Sequence, residues 1–163
     1  MTNLRAFLDT IAFSELGSSL LALSDNGYNV LVGSKPSMPL LFGSYRDHPR
    51  VAIRVRKDNP ATPFDEEIIS TAAGRYQILG RIFDAYQVKL ALPDFGPASQ
   101  DAIATEMIRE RLAYDDVMAG RFAVAIDKCK GGWASLPGAG YNQHENTMAA
   151  LRQSFINAGG VVA

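Results

Sequence analysis

The chain has 163 residues, with 16 basic against 17 acidic side chains for a formal net charge of -1, and a hydrophobic fraction of 47%. That length is enough to bury roughly 70% of the surface an unfolded chain exposes, so a single globular domain needs no metal or disulfide to hold its core. The balanced charge excludes a nucleic-acid domain that relies on overall positive charge, and the lone Cys129 excludes an intramolecular disulfide, paired-cysteine zinc sites and two-cysteine redox motifs.

Leu4, Phe7, Leu8, Ile11 and Ala12 recur at spacings of three and four, which predicts an amphipathic helix capped by Thr2 or Asn3 and stopped at Gly17. Its apolar stretches, residues 11–13 and 20–23, are broken by Glu15, Asp25 and serines, so no membrane span is expected. Asp9 interrupts the apolar run that a secretory signal requires, and no export signal is expected either. Residues 27–42 change to β-branched and aromatic residues between turn formers, with Tyr-Asn-Val-Leu-Val at 28–32, and read as a small sheet. Residues 50–57 alternate basic side chains with Val51, Ile53 and Val55, a third strand with one polar face. Asp58, Asn59, Pro60 and Pro63 mark a loop.

Residues 70–90 carry Ile78, Leu79, Ile82, Phe83 and Tyr86 at helical spacing, a second long helix. Pro97 suits the first turn of a third, whose Ile103, Met107, Ile108 and Leu112 keep that spacing. A short buried helix at 122–129 and a last one at 145–158, stopped by Gly159 and Gly160, flank a glycine-rich loop at 131–140. With no repeat and no linker, the order helix, small sheet, helices predicts one α+β domain over 1–163, its early hairpin region facing a helical lobe across a cleft.

Glu15 is the most informative side chain. It stands eleven residues after Leu4, and eleven steps of about 100° return it to the apolar stripe, where Leu would be ordinary. Partial desolvation there raises a carboxyl toward about 6, which suits a general acid for a glycosidic oxygen at neutral pH. The alternative is a last-turn glutamate that bends out to water. His48 and His144 are too few and too far apart to suggest a metal site, and no cofactor motif is present.

Five blocks carry a family resemblance: Ala6-Phe7-Leu8-Asp9 through Ser14-Glu15 to Gly27-Tyr28-Asn29-Val30-Leu31-Val32-Gly33, then Tyr45-Arg46-Asp47-His48-Pro49-Arg50, Ala73-Gly74-Arg75-Tyr76-Gln77, Ser99-Gln100-Asp101-Ala102, and Trp133-Ala134-Ser135-Leu136-Pro137-Gly138-Ala139-Gly140-Tyr141. In this order, across nearly the whole chain, they resemble the bacteriophage lambda endolysin family. The resemblance implies a lysozyme-like fold that cleaves the β-1,4 bond between N-acetylmuramic acid and N-acetylglucosamine in peptidoglycan without water. Glu15 would protonate the leaving oxygen and then accept the proton of the muramic C6 hydroxyl as it attacks C1, giving a 1,6-anhydro sugar. No second carboxylate is needed, because the nucleophile is tethered to the ring.

The same resemblance assigns substrate binding to Asn29, Tyr45, Tyr76, Gln77 and Tyr141. Gly74-Arg75-Tyr76-Gln77 is similar to the Gly-x-x-Gln element of goose-type lysozymes and lytic transglycosylases, in which an amide can donate to and accept from an N-acetyl group. On residues alone, Tyr76 fits a core position equally well. Tyr141 follows a Pro-Gly-Ala-Gly loop, where a ring can cover a sugar face or serve a structural role, and Trp133 is expected to anchor the base of that loop. The family implies further that the enzyme gathers as a monomer in the host cytoplasm and reaches periplasmic peptidoglycan after a separate holin-type protein breaches the membrane.

The segment after Glu15 is more apolar than the family pattern, with Leu20, Leu21 and Leu23, and residues 34–41 and 58–68 are longer, the latter bringing Asp65, Glu66 and Glu67 to an expected lip of the cleft. Two competitors remain. A hydrolytic muramidase on the same fold would need a second acid, for which Asp25 and Asp47 are the candidates, though Asp25 beside Asn26-Gly27 suits a turn and Asp47 suits a cap or an ion pair. Arg46, Arg50, Arg54, Arg56 and Lys57 would alternatively make a non-catalytic module for anionic polymers, or a solvated strand face.

Overall fold

In the computed structural model the first helix, α1 (Asn3–Ala22), runs past its expected stop. Gly17 sits inside it at φ 72° and ψ 159°, outside helical space, so the glycine kinks the helix and the chain resumes its turns beyond. Only a residue without a Cβ adopts this conformation cheaply, and Leu20, buried after the kink, gives the resumed helix an anchor. The structure describes residues 2–57, 66–140 and 145–163.

Among these residues, α1 is followed by β1 (Ile53–Lys57), β2 (Glu66–Ser70), α2 (Gly80–Leu90), α3 (Pro97–Glu110), α4 (Tyr114–Met118), α5 (Phe122–Cys129) and α6 (Met148–Asn157). The architecture is α+β, with a two-stranded antiparallel sheet in register Ile53↔Ser70, Arg54↔Ile69 and Val55↔Ile68. The backbone divides into two compact units, Met1–Glu15 with Ala104–Ala163, and Leu16–Ile103.

The first unit is built on aromatic and aliphatic burial. Phe7 meets Phe122 edge-on at 6.1 Å, and Phe122 lies 5.0 Å from Phe155, while Ile11, Ile108, Ile126 and Leu151 fill the space around them. Each such side chain contributes about 1.5–3 kcal/mol when taken from water. Asp116, buried within α4, accepts from Arg121 and Lys128, both at 2.6 Å. Thr147 caps α6 by accepting from the backbone N–H of Ala150. The fourth helix has no counterpart in the apolar spacing, because only two of its five residues are buried.

The second unit departs most from expectation. Residues 27–42 form no strand; they make single bridges, Val30 to Leu41 and Lys35 to Met38, between turns at Gly27 and Gly33, which both have positive φ. The partner of β1 is instead β2, whose residues 66–68 fall in the expected loop; residues 58–65 of that loop lie outside the described residues. The expected helix at 70–90 begins only at Gly80. Gly74 and Gln77 hold φ of 79° and 48°, so residues 71–79 form a turn that folds back through an Ala73–Ile78 bridge. Ile78 is apolar for a different reason than a helix face: it and Tyr76 are buried within this turn. At 145–158, only Met148–Asn157 is helical.

Candidate active site

Leu8, Ile11 and Ala12 are buried in α1, and Glu15 follows them on the same stripe, partly buried. Desolvation pushes its carboxyl up from 4.5 to about 7, higher than the stripe argument anticipated, against hydrogen bonds from Ser135 that favour the charged form. Ser135 Oγ donates to Glu15 Oε1 at 2.6 Å. The same hydroxyl lies 2.7 Å from Ser14 Oγ, and Asn146 Nδ2 donates to Ser14 Oγ at 3.1 Å and to Ser14 O at 3.0 Å.

Ser135 is held in place by its neighbours. Trp133 and Leu136 on either side are buried, and the Ser135 carbonyl accepts from the backbone N–H of Asn146 at 2.9 Å. Farther along, the Glu145 carboxylate accepts from the N–H groups of Gly140 and Gly138 at 2.9 and 2.8 Å, which hold its pKa below the ordinary value. Trp133 thus anchors the loop as its sequence suggested. Tyr141 lies outside the described residues, as does His144.

Asn29 and Tyr45, both in the second unit, converge on one residue, Asp25. Asn29 Oδ1 accepts the backbone N–H of Asp25 at 3.0 Å, and Tyr45 donates its hydroxyl to Asp25 Oδ2 at 2.5 Å. Burial and this carboxylate push the Tyr45 phenol well above its ordinary value, so it is a neutral donor at any physiological pH. Asp47 is ion-paired with Arg50 at 2.7 Å, which holds its carboxyl below the usual range, and Arg50 also pairs with Asp84.

Gln77 turns its amide inward, donating to Gly74 O at 2.9 Å, which leaves Oε1 as the group able to accept from a ligand. Tyr76 needs correction as a substrate contact. Its ring is 1% exposed and its hydroxyl donates to Asp101 at 2.6 Å, beside a second bond to Asp101 from Tyr28, so the side chain has no face left for a sugar. Gly74 lets this turn close: a Cβ there would lie 2.2 Å from Gln100 Oε1, and Gln100 holds Arg75 N, Tyr28 O and Phe95 O.

Sequence reading missed Ser135, Ser14 and Asn146 as partners of Glu15. They are uncharged, carry no periodicity, and Ser135 stands 120 residues from the carboxylate it contacts. Among the described residues no group of three or more His, Cys, Asp or Glu is arranged to hold a metal, and no helix is long and apolar enough to cross a membrane.

A family model described as Endolysin matches residues 5–162. The chain is 44% identical to the endolysin of Escherichia phage P2 over 162 residues, covering 99% of this chain and 95% of that protein. It is 43% identical to the endolysin of Escherichia phage lambda over 159 residues, covering 97% and 92%. Among solved structures, bacteriophage lambda lysozyme complexed with a chitohexasaccharide superposes with a TM-score of 0.85 at 43% identity, covering 100% of this chain and 98% of that one. A second structure of lysozyme from bacteriophage lambda gives 0.80 over the same coverage. With the family model matched over residues 5–162 and with relatives 43–44% identical, the chain belongs to the endolysin family and has the lysozyme fold of phage lambda.

Proposed function

We propose that this endolysin is a glycosidase of peptidoglycan that cleaves the β-1,4 bond between N-acetylmuramic acid and N-acetylglucosamine by intramolecular transglycosylation, with Glu15 as both acid and base. The carrying observation is a carboxyl raised to about 7 by desolvation, with no neighbouring carboxylate among the causes of its shift. A group poised near neutrality is protonated often enough to deliver its proton and basic enough to take one back.

In the first half of the reaction Glu15 gives its proton to the bridging oxygen as the bond from that oxygen to muramic C1 breaks. The C6 hydroxyl of the same sugar then forms a bond to C1, and its proton passes to the Glu15 carboxylate. No water enters, the glycan is split into two ends, and Glu15 is returned to its starting state. Holding the nucleophile on the same ring replaces an encounter with a rotation, so one ionisable side chain suffices.

The state of the other acids supports this reading over hydrolysis. Asp25 is engaged by Tyr45 and Asp47 by Arg50, so neither is a spare carboxylate awaiting a nucleophile's work. The complex of the lambda lysozyme with a chitohexasaccharide supports a β-linked N-acetylhexosamine strand as ligand, for which Asn29, Tyr45, Gln77 and Tyr141 supply polar and aromatic contacts. The domain over 1–163 then acts alone on the wall, as a monomer released from the host cytoplasm by a separate holin-type protein.

Mass spectrometry of muropeptides released from purified sacculi tests the mechanism. Fragments one water lighter than the hydrolytic products, without reducing muramic ends, are expected. Ordinary reducing ends would make the enzyme a muramidase. Glu15→Gln is expected to retain its circular dichroism spectrum and lose at least about a thousandfold in rate.

A further inference from the structure

Asn146, Ser14, Ser135 and Glu15 form one line of hydrogen bonds whose direction is set by chemistry. Asn146 Nδ2 contacts the carbonyl oxygens of Ser14 and Ser135, at 3.0 and 3.5 Å, which can only accept; the amide nitrogen is therefore the donor there, and it also donates to Ser14 Oγ at 3.1 Å. At the far end a carboxylate can only accept, so the 2.6 Å contact runs from Ser135 Oγ to Glu15 Oε1. With the single hydrogen of Ser135 committed there, its oxygen meets Ser14 Oγ at 2.7 Å as acceptor, and Ser14 donates, sharing its hydrogen with the Ser135 carbonyl at 3.2 Å. Each hydroxyl takes from the Asn146 side and gives toward the Glu15 side, the arrangement in which successive bonds polarise one another.

This line distinguishes the two oxygens of Glu15. Oε1 receives the Ser135 hydroxyl, and among the described residues the one further hydrogen bond to the carboxyl comes from the Ser135 backbone rather than from a second side chain. Putting the acid proton on Oε1 would reverse both hydroxyls, Ser135 toward Ser14 Oγ and Ser14 toward its longer 3.2 Å contact with Ser135 O, whereas a proton on Oε2 leaves every hydroxyl where it is. We propose that Asn146, Ser14 and Ser135 are positioning residues that keep the transferable proton of Glu15 on Oε2, so that one oxygen serves first as acid and then as base. The proposal rests on the reading of Glu15 as the acid.

The line is also mechanically secured. Ser135 lies between buried Trp133 and Leu136, its carbonyl is bonded to Asn146 N, and the next residue back, Glu145, clamps Gly138 and Gly140. The hydroxyl cannot swing away while these contacts hold. The causes of the Glu15 shift are desolvation and the Ser135 hydrogen bonds, with no charged side chain among them, so loss of the hydroxyl moves the carboxyl in one direction only, upward.

The test combines carbon-13 NMR titration of the Glu15 carboxyl in the full-length protein with kcat and KM on purified sacculi. For Ser135→Ala the midpoint is expected to rise by about one pH unit and kcat to fall about tenfold, as for the loss of one hydrogen bond to a charged group. KM should stay within about twofold, since no group that binds substrate is removed. Ser135→Thr, which restores a hydroxyl, should bring both back, and Asn146→Ala should move the midpoint the same way by less. An unmoved midpoint, or an unmoved kcat, in folded Ser135→Ala protein overturns the proposal. If Ser135→Ala does not fold, Ser14→Ala interrupts the line one hydroxyl earlier and is held to the same outcomes. Glu15→Gln in the same assay separates the two ideas: an active Gln variant removes the catalytic reading, whereas an inactive one beside a Ser135→Ala protein that titrates like the parent removes only the positioning role.

Discussion

A carboxyl on the apolar stripe of α1 is a cost the fold carries. The Glu15 pKa in the folded protein lies above its unfolded value, so its contribution to stability is fully present below about pH 4.5 and is lost as pH rises through about 7. The loss at pH 8 is of the order of 3 kcal/mol at most. Glu15→Gln, which has no charge to desolvate, should therefore unfold at a higher denaturant concentration than the parent at pH 8 and at nearly the same concentration at pH 4. Equilibrium urea unfolding at the two pH values checks this. An enzyme whose first step needs the protonated form should also lose kcat/KM on the alkaline side of about pH 7, and Ser135, by donating to Oε1, keeps that limb from lying higher.

At the scale of the element, the turn at 71–79 matters more than its length suggests. It brings Gln77 to its place and buries Tyr76 against Asp101, and it closes only because Gly74 has positive φ and no Cβ. Gly74→Ala would force an atom to 2.2 Å from Gln100 Oε1 in a backbone conformation that L residues avoid. A loss of about 3 kcal/mol or more is expected, read as a drop in Tm, because Gln100 is buried with three hydrogen bonds and has nowhere to retreat. The loop carrying Ser135 follows a comparable logic with a different device. Two glycine N–H groups close on the Glu145 carboxylate, so a flexible composition is held in one shape from outside.

For the whole molecule, two groups near neutral pH act on stability in opposite senses. Burial lowers the His48 pKa, and the geometry agrees: Nδ1 accepts from Arg50 N at 3.0 Å while Nε2 donates to Ile78 O at 2.9 Å, so the neutral ring is fully used between Phe83 and Phe95. A second proton has no place, and the unfolded chain takes it up first. Stability that is present above about pH 6.5 is therefore lost as pH falls below it, whereas the Glu15 contribution is lost as pH rises through about 7. Below about pH 6.5 the His48 loss opposes the gain that Glu15 makes on acidification, so His48→Gln should leave stability falling more steeply as pH rises from about 4.5 to 6.5, as measured by Tm between pH 4 and 7.

What the sequence determined by itself is local. The apolar spacing of Leu4 to Ala12, of Ile103 to Ile108 and of Phe122 to Cys129 specifies helices, and it marks Glu15 as a carboxyl out of place, because side-chain periodicity is a property of a few consecutive turns. The basic alternation likewise specifies a strand over Ile53–Lys57, though not over its first residues, where Arg50 holds φ 48°. Tertiary structure decided the rest. Ile78 and Leu79 share the helical spacing of Ile82, Phe83 and Tyr86, yet positive φ at Gly74 and Gln77 turns residues 71–79 into a buried loop, a choice made by the fit of Gln100. The pairing of β1 with β2, rather than with residues 27–42, depends on hydrogen bonds that no single segment specifies. Ser14, Ser135 and Asn146 are ordinary polar residues until folding sets them in line, since a hydrogen bond depends on distances of about 3 Å that exist only once remote segments meet.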